Sequence, residues 1–411
     1  MNCKYWTVEE ALKKAHDEYD KYMKNRLTKA EKDYLEIMNI ELKEIDKISW
    51  CNLLNIYKLV VRMCSMKILR LIGKIFSFVG VFLLVLLVTV YSMGLIFCYG
   101  PSTHARNLFV TTLLETGQMK FVVGLFMSDD KVQEIVNSNS MAAFDEEVDN
   151  SLINTDEIKD KDGIELIQIT GGTYMAKMII VNDPSRVKLA TIYDGSWKEY
   201  GVTLDKLVND NDAFAGVNGG LYVSNGNKGG RPMGLVVRDG KIEHNSPSGI
   251  AGLHLVGFDE NNLLRIIDLS GKNKSQVEDI IKHEKIRDAV AFQEESSDAN
   301  NHFVKLIING EEREVNGSGS GANPRTAIGQ RADGAVLLLV TDGRGASGHL
   351  GATAGDLIEV MSEYGAVNAA NIDGGSSSSM YYDGKYEMTS VTLYYSNSSW
   401  RLPTGFIVEK R

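Results

Sequence analysis

The rhythm of apolar and polar positions changes three times along the chain. Over residues 6–49 apolar side chains recur at helical spacing: Val8, Leu12, Ala15 and Tyr19, then Tyr34, Met38 and Leu42. Each set follows a capping-box pattern, Thr7-Val-Glu-Glu10 and Thr28-Lys-Ala-Glu31, in which Thr caps the helix and Glu reaches back to it. A short helical segment is predicted there. From Ile75 to Cys98 the chain runs 24 residues without a charge. A membrane-spanning helix needs about 20 apolar residues, so this stretch predicts one span with some tilt. From about Gly163 the pattern shifts to short strand-like runs set apart by turn residues, among them IELIQI (164–169), TYMAKMIIV (173–181), VKLIINGEEREV (304–315) and AVLLLVTD (335–342). Asp239-Gly240 and Asn309-Gly310 predict tight hairpins, since both residue types tolerate positive φ. One helix interrupts the strands, capped by Thr353-Ala-Gly-Asp356 and ended by Gly365. The fold class expected is α+β: a largely antiparallel sheet domain with few helices, preceded by a single transmembrane helix and a short helical segment.

Two stretches lie between span and sheets. Residues 107–126 are apolar but contain Glu115 and Lys120, which makes a poor second span. A helix lying on the outer membrane surface, or packing on the next domain, is expected instead. Residues 128–162 are acidic and turn-rich and read as a solvated linker. The domain boundaries expected are 1–66 for the helical segment, 67–99 for the anchor, 100–162 for the membrane-proximal part and 163–411 for the sheet domain.

Charge gives the span a direction. The 411 residues carry 44 Lys+Arg and 54 Asp+Glu, a formal net charge of −10. Residues 1–74 hold 15 of the basic and 11 of the acidic residues, so the remainder is strongly acidic. Lys58, Arg62, Lys67, Arg70 and Lys74 precede the span, whereas Arg106 alone follows it before Lys120. The positive-inside rule therefore places the N-terminus in the cytoplasm and residues 99–411 outside, on an uncleaved signal anchor in the lipid bilayer. The outer region beyond Cys98 has no cysteine, so its stability rests on its core. The acidic balance argues against a nucleic-acid partner.

Three apolar runs end in a polar residue followed by glycine: Asn218-Gly219-Gly220, Asp342-Gly343-Arg344, and Asn371-Ile-Asp373-Gly374-Gly375-Ser376. Strands ending this way can gather polar side chains at one end of a sheet, with glycine N–H groups open to a ligand. Taken singly, each is equally a tight turn. In Gly321-Ala-Asn323-Pro324-Arg325, proline fixes the backbone before an arginine suited to a phosphate or carboxylate; the same arginine also fits a structural ion pair. The preceding NGSGSG stretch misses the dinucleotide fingerprint and reads as a flexible loop. The seven histidines form no H-E-x-x-H pattern, and no G-x-S-x-G elbow is present, which leaves carboxylate chemistry centred on Asp373 and Asp342. No cofactor is expected, and metal dependence is left open.

In order, NGGLY (218–222), NPRTAIG (323–329), TDGR (341–344), GATAGDLIEVM (351–361), ANIDGGSSSSM (370–380) and RLPTGFIV (401–408) resemble the phosphodiester glycosidase family over roughly residues 165–411. The anchor followed by residues 100–121 resembles bacterial members of that family. The resemblance implies cleavage between a sugar's anomeric carbon and the oxygen of a phosphodiester. It implies Arg325 as phosphate clamp, Gly374, Gly375 and Ser376 as donors, and Asp373 as the carboxylate at the anomeric carbon, nucleophile or base on water. It makes Asp342 the second carboxylate or the holder of Arg325. Asn218, with Gly219, Gly220 and Arg344, falls on the substrate side. The substrate class is then a glycosyl phosphodiester of an envelope polysaccharide. A non-catalytic binder of anionic glycans using the same residues stays open beside the enzyme. Retention of both Asp373 and Arg325 favours the enzyme.

Overall fold

The computed structural model describes residues 13–18, 21, 50–116, 119–155, 160–294, 302–391 and 397–410. The chain divides into two compact units, Met1–Val90 and Tyr91–Arg411. In the first, residues 13–18 are helical, and both N-terminal capping patterns lie outside the described residues. A single 50-residue helix, α1 (Trp50–Tyr99), begins well before the charge-free stretch. Its portion Asn55–Tyr99 is long and apolar enough to cross a membrane. Large apolar side chains stand exposed along it, with Phe76 and Phe78 each 73% exposed. An apolar surface of that extent suits lipid rather than water.

Within the second unit the chain turns back through α2 (Thr103–Glu115), α3 (Lys120–Gly124) and α4 (Asp129–Asn137). Ser102 caps α2 by accepting from the Ala105 N–H. Cys98, Val110, Leu114, Val123, Met127, Ile135 and Val136 close a small core among these helices. The acidic stretch that follows is not a free linker. Lys305 Nζ donates to the carbonyls of Phe144 and Glu146, at 3.1 and 2.8 Å. Arg313 Nε donates to Ala142 O (2.7 Å), and the Asn309 side chain bonds the Asp149 N–H and the Glu147 carbonyl. Basic and amide side chains from one sheet thus satisfy its main chain, and Asp145, Glu146, Glu147 and Asp149 stay exposed. Composition alone hides such backbone contacts.

Among the described residues seventeen strands follow. The first nine are β1 (Ile164–Thr170), β2 (Met175–Val181), β3 (Val187–Thr191), β4 (Ala213–Asn218), β5 (Gly234–Arg238), β6 (Lys241–Ser246), β7 (Leu253–Asp259), β8 (Leu264–Asp268) and β9 (Ile286–Gln293). The rest are β10 (Lys305–Ile308), β11 (Glu311–Glu312), β12 (Thr326–Arg331), β13 (Val336–Thr341), β14 (Ala366–Ile372), β15 (Met380–Tyr382), β16 (Lys385–Met388) and β17 (Thr404–Glu409). They form three sheets, ordered β1-β2-β13-β12-β14-β10-β11, β16-β15-β4-β17-β3 and β6-β5-β9-β7-β8. The strand pairs are antiparallel, as the alternating runs and hairpin turns predict. Asp239 and Gly240, with φ of 50° and 72°, turn β5 into β6; Asn309 and Gly310, at 56° and 82°, turn β10 into β11.

One apolar core is shared by all three sheets, from Ile179 and Leu338 of the first through Val217 and Phe406 of the second to Phe258 and Val290 of the third. Each outer face carries its own helix: α5 (Leu204–Asp210), α6 (Lys274–His283) and α7 (Ala354–Glu363). Helix α7 starts on the capping box read from its sequence, with Thr353 and Asp356 each accepting from the other's N–H. The central strands are therefore buried on both faces, which explains continuous runs such as VLLLVT in β13.

Candidate active site

Register brings the chemistry together. In the first sheet Thr326 at the start of β12 faces Val340 near the end of β13 and Ile372 at the end of β14. The residues just outside those ends are Arg325, Asp342 and Asp373, so three distant sequence motifs meet at one sheet edge. Strand β4, from the second sheet, adds Asn218. Its Nδ2 donates to Asp373 O (2.6 Å), while its Oδ1 accepts from Thr326 Oγ1 (2.7 Å) and the Ser379 N–H (3.2 Å). Asn218 is fully buried. Its side chain ties the two sheets together instead of facing a ligand.

Asp373 sits where β14 ends. Its Oδ1 accepts the Gly374 N–H at 3.0 Å. Loss of hydration pushes its carboxyl up to about 7, against the opposing pull of Ser377, the Gly374 N–H and Arg344. The serines behind it form an inward network: Ser377 Oγ meets Tyr222 Oη at 2.9 Å, and Ser378 Oγ accepts from Thr326 Oγ1 at 3.3 Å. A serine run that reads as a polar loop is here mostly buried scaffolding. Ser376 faces the other way and accepts from Arg344 Nη1 at 2.8 Å.

Arg344 takes a left-handed backbone, φ 53°. Its guanidinium lies over Gly375, where an added Cβ would come within 2.8 Å of Nη2. Gly375 itself has φ 62°, so only glycine fits both the turn and the close approach. Gly374 fits under Pro324, whose carbonyl lies 3.0 Å from where its Cβ would stand.

Other expectations are corrected: the Gly374 N–H is taken by Asp373 Oδ1 (3.0 Å) and the Gly375 N–H by Pro324 O (2.7 Å), so neither is an open donor. Gly219 and Gly220 do not offer N–H groups to a ligand: these donate to Thr404, and added Cβ atoms would strike Thr404 and Val290. They make packing space between sheets. Asp342 does not hold Arg325. Its Oδ1 accepts the Met175 N–H (2.8 Å) and its Oδ2 pairs with His349 Nδ1 (2.6 Å). Arg325 is buried and already engaged. Its Nη2 pairs with Glu115 at 2.5 Å and donates to Gly321 O (2.9 Å) and Ser320 Oγ (3.2 Å). Burial pushes the Glu115 carboxyl up, opposed by Arg325, the Gly321 N–H and Asn323. The glycine-serine stretch before Arg325 is no flexible loop: Gly321 packs on the backbone of α2 near Thr111 and Thr112. Glu115 and His349 escape sequence reading because neither sits in a recognisable pattern. A carboxylate ending the apolar run at 108–114 was the one available signal for Glu115.

Among the described residues no cluster of His, Cys, Asp and Glu is arranged to hold a metal ion. What stands at the surface of the site is one proton-retaining carboxyl beside a cationic arginine and a glycine-serine turn. That combination suits proton transfer next to an anion.

Residues 211–409 match the phosphodiester glycosidase family, which supports a glycosidase type of hydrolase. Strands β1, β2 and β3, which precede the matched residues, are hydrogen-bonded into the same sheets. Among curated proteins, the chain is 42% identical over 64 residues to the SPbeta prophage-derived uncharacterized protein YomE of Bacillus subtilis (strain 168), covering 16% of this chain and 10% of that protein. It thus spans about a tenth of that relative. Among solved structures, the zebrafish N-acetylglucosamine-1-phosphodiester alpha-N-acetylglucosaminidase catalytic domain, auto-inhibited by its pro-peptide, aligns with a TM-score of 0.46 at 18% identity, over 61% of this chain and 83% of that one. A putative exported protein from Burkholderia pseudomallei K96243 aligns with a TM-score of 0.38 at 16% identity, over 58% and 74%.

Proposed function

We propose that the protein is a membrane-anchored hydrolase whose outer domain cleaves the bond between a sugar's anomeric carbon and the phosphate of a glycosyl phosphodiester in an envelope polysaccharide. The reading rests on one observation above all. Asp373, pushed up to about 7, stands beside Arg344 and the Gly374-Gly375-Ser376 turn. A general base works best when its pKa lies near the operating pH. A phosphate leaving group departs as a weak base and needs little help from an acid, so the demands are an activated oxygen and a cation for the growing negative charge.

In this scheme Asp373 takes a proton from water, whose oxygen forms a bond to the anomeric carbon. The carbon–oxygen bond to phosphate breaks, and its electron pair leaves with the phosphate monoester. Arg344 and the Ser376 hydroxyl hold that phosphate, with Arg325 behind them. Helix α1 would carry the domain outside the cell, its basic N-terminal flank remaining in the cytoplasm.

The test uses the full chain in lipid nanodiscs with an α-N-acetylglucosamine-1-phosphodiester and related glycosyl phosphodiesters, followed by phosphorus NMR. Loss of the diester signal with growth of a monoester signal, absent in Asp373→Asn, supports the enzyme. Intact diesters that nevertheless bind would instead support a glycan-binding protein.

A further inference from the structure

The membrane-proximal helix reaches the candidate site through a side chain that neither the sheet domain nor the family match at 211–409 includes. Glu115, the last residue of α2, is 4% exposed, and its partner Arg325 is 11% exposed. The carboxylate is fully engaged: Oε1 accepts the Gly321 N–H at 2.7 Å, and Oε2 accepts Asn323 Nδ2 at 3.2 Å beside the Arg325 pair. One turn earlier Thr112 Oγ1 accepts the Ala322 N–H at 2.9 Å. Two side chains of α2 therefore hold the loop that leads into Arg325.

The arginine is fixed on every other side as well. Its N–H donates to Thr341 Oγ1 at 2.9 Å, Nε donates to Ala352 O at 3.4 Å, and its guanidinium carbon lies 5.0 Å from the centre of the Phe303 ring. Among the described residues Nη1 alone of its side-chain nitrogens makes no hydrogen bond. The Arg325 charge is also felt by Arg344. Two guanidinium groups held near each other repel, and a carboxylate on one of them offsets that repulsion. A buried ion pair gives little net stability over a well-packed apolar pair. Its value here is orientation.

We infer that Glu115 is a positioning residue for the phosphodiester reaction proposed above, holding Arg325 so that its Nη1 and charge support the phosphate, and that the site is complete only with the membrane-proximal helix in place. The inference rests on the phosphodiester reading.

The experiment compares two leaving groups on the full chain in nanodiscs: an α-glycosyl phosphodiester and the corresponding 4-nitrophenyl α-glycoside, which has no phosphate. Misplacing a positioned group costs about 100-fold. Glu115→Gln is therefore expected to lower kcat/KM on the phosphodiester by about 100-fold. It should leave the aryl glycoside nearly unchanged. Glu115→Asp should regain part of the loss. An equal fall on both substrates means that Glu115 only supports the fold, and overturns the inference. So does unchanged activity, and so does a rise on the phosphodiester, which would make Glu115 a plug on the clamp. A wild type that cleaves neither substrate removes the reaction and the positioning role with it. The Glu115–Arg325 contact is then judged separately by thermal unfolding of Glu115→Gln, Arg325→Gln and the double variant. Effects that add independently would show that the contact does not exist, and less-than-additive losses would show that it does.

Discussion

Two strand ends, those of β13 and β14, carry the same local sequence design and reach opposite results. Each is a buried apolar run that stops at an aspartate followed by glycine. At the end of β13, Asp342 finds partners for both oxygens, the Met175 N–H and His349 Nδ1. At the end of β14, Asp373 has the Gly374 N–H and the Ser377 side chain, yet it loses so much hydration that its carboxyl is pushed up to about 7. The difference lies in what the fold packs around each end. Strand β2 lies beside β13 and brings an N–H to Asp342, whereas the β14 end is enclosed by a buried serine network that also ties to Tyr222, Thr326 and Asn218 and keeps water from Asp373. A satisfied carboxylate is a strut. One stripped of its hydration is poised to move a proton.

Removing the poised carboxyl should have the largest effect. General acid–base groups contribute roughly 10²–10⁴-fold, so Asp373→Asn should lower kcat on a glycosyl phosphodiester by about that range. Near-normal turnover would take Asp373 out of the mechanism. Next comes the cation beside it. Arg344→Ala removes the guanidinium above Gly375 and should lower kcat about 100-fold, the scale for one lost transition-state donor. A smaller loss than Arg325→Ala would move the phosphate back to the deeper arginine.

The raised pKa of Asp373 makes the comparison measurable without substrate. The folded protein holds this proton up to about pH 7, whereas the unfolded chain releases it near the ordinary aspartate value of 3.8. Between those values the native state binds the extra proton, so stability from this group falls as pH rises from about 4 to about 7. Above that the full penalty is present, and below about 4 it is absent. Asp373→Asn should therefore unfold at a higher temperature than the wild type at pH 8, and at a similar temperature at pH 4. Equal shifts at both pH values would assign Asp373 an ordinary environment. In turnover, activity should rise with pH through about 7 if Asp373 acts as base.

Much of this was legible before the structure. Alternation and hairpin dipeptides predict antiparallel sheets, and the charge-free stretch predicts the long helix. The strand-end motifs do converge, because Arg325, Asp342 and Asp373 lie just outside the neighbouring ends of β12, β13 and β14. What the residues do after converging depended on partners more than 100 positions away, which local pattern does not encode. Glu115 lies 210 residues before Arg325, and Asn218 lies 155 before Asp373. Gly219 and Gly220 illustrate the same limit: a glycine pair at a strand end serves a ligand or a neighbouring strand equally well by sequence, and here Thr404 and Val290 fill the space.

The smallest effects belong to the β13 end. His349 stands on the loop that carries Arg344, and the Arg344 N–H donates to Leu350 O at 2.9 Å. The Asp342–His349 pair therefore braces that loop from inside while Arg344 works from its rim. His349→Gln retains a polar side chain and should lower kcat only a few-fold, with little change in KM. Asp342→Ala removes the acceptor of a buried N–H as well as the histidine's anchor, and an unsatisfied buried group costs about 1–3 kcal/mol. Its main signature should be a lower unfolding temperature, with turnover reduced far less than in Asp373→Asn. If Asp342→Ala instead abolishes turnover in a protein that unfolds normally, the β13 carboxylate takes part in the chemistry, and the division into strut and proton carrier fails.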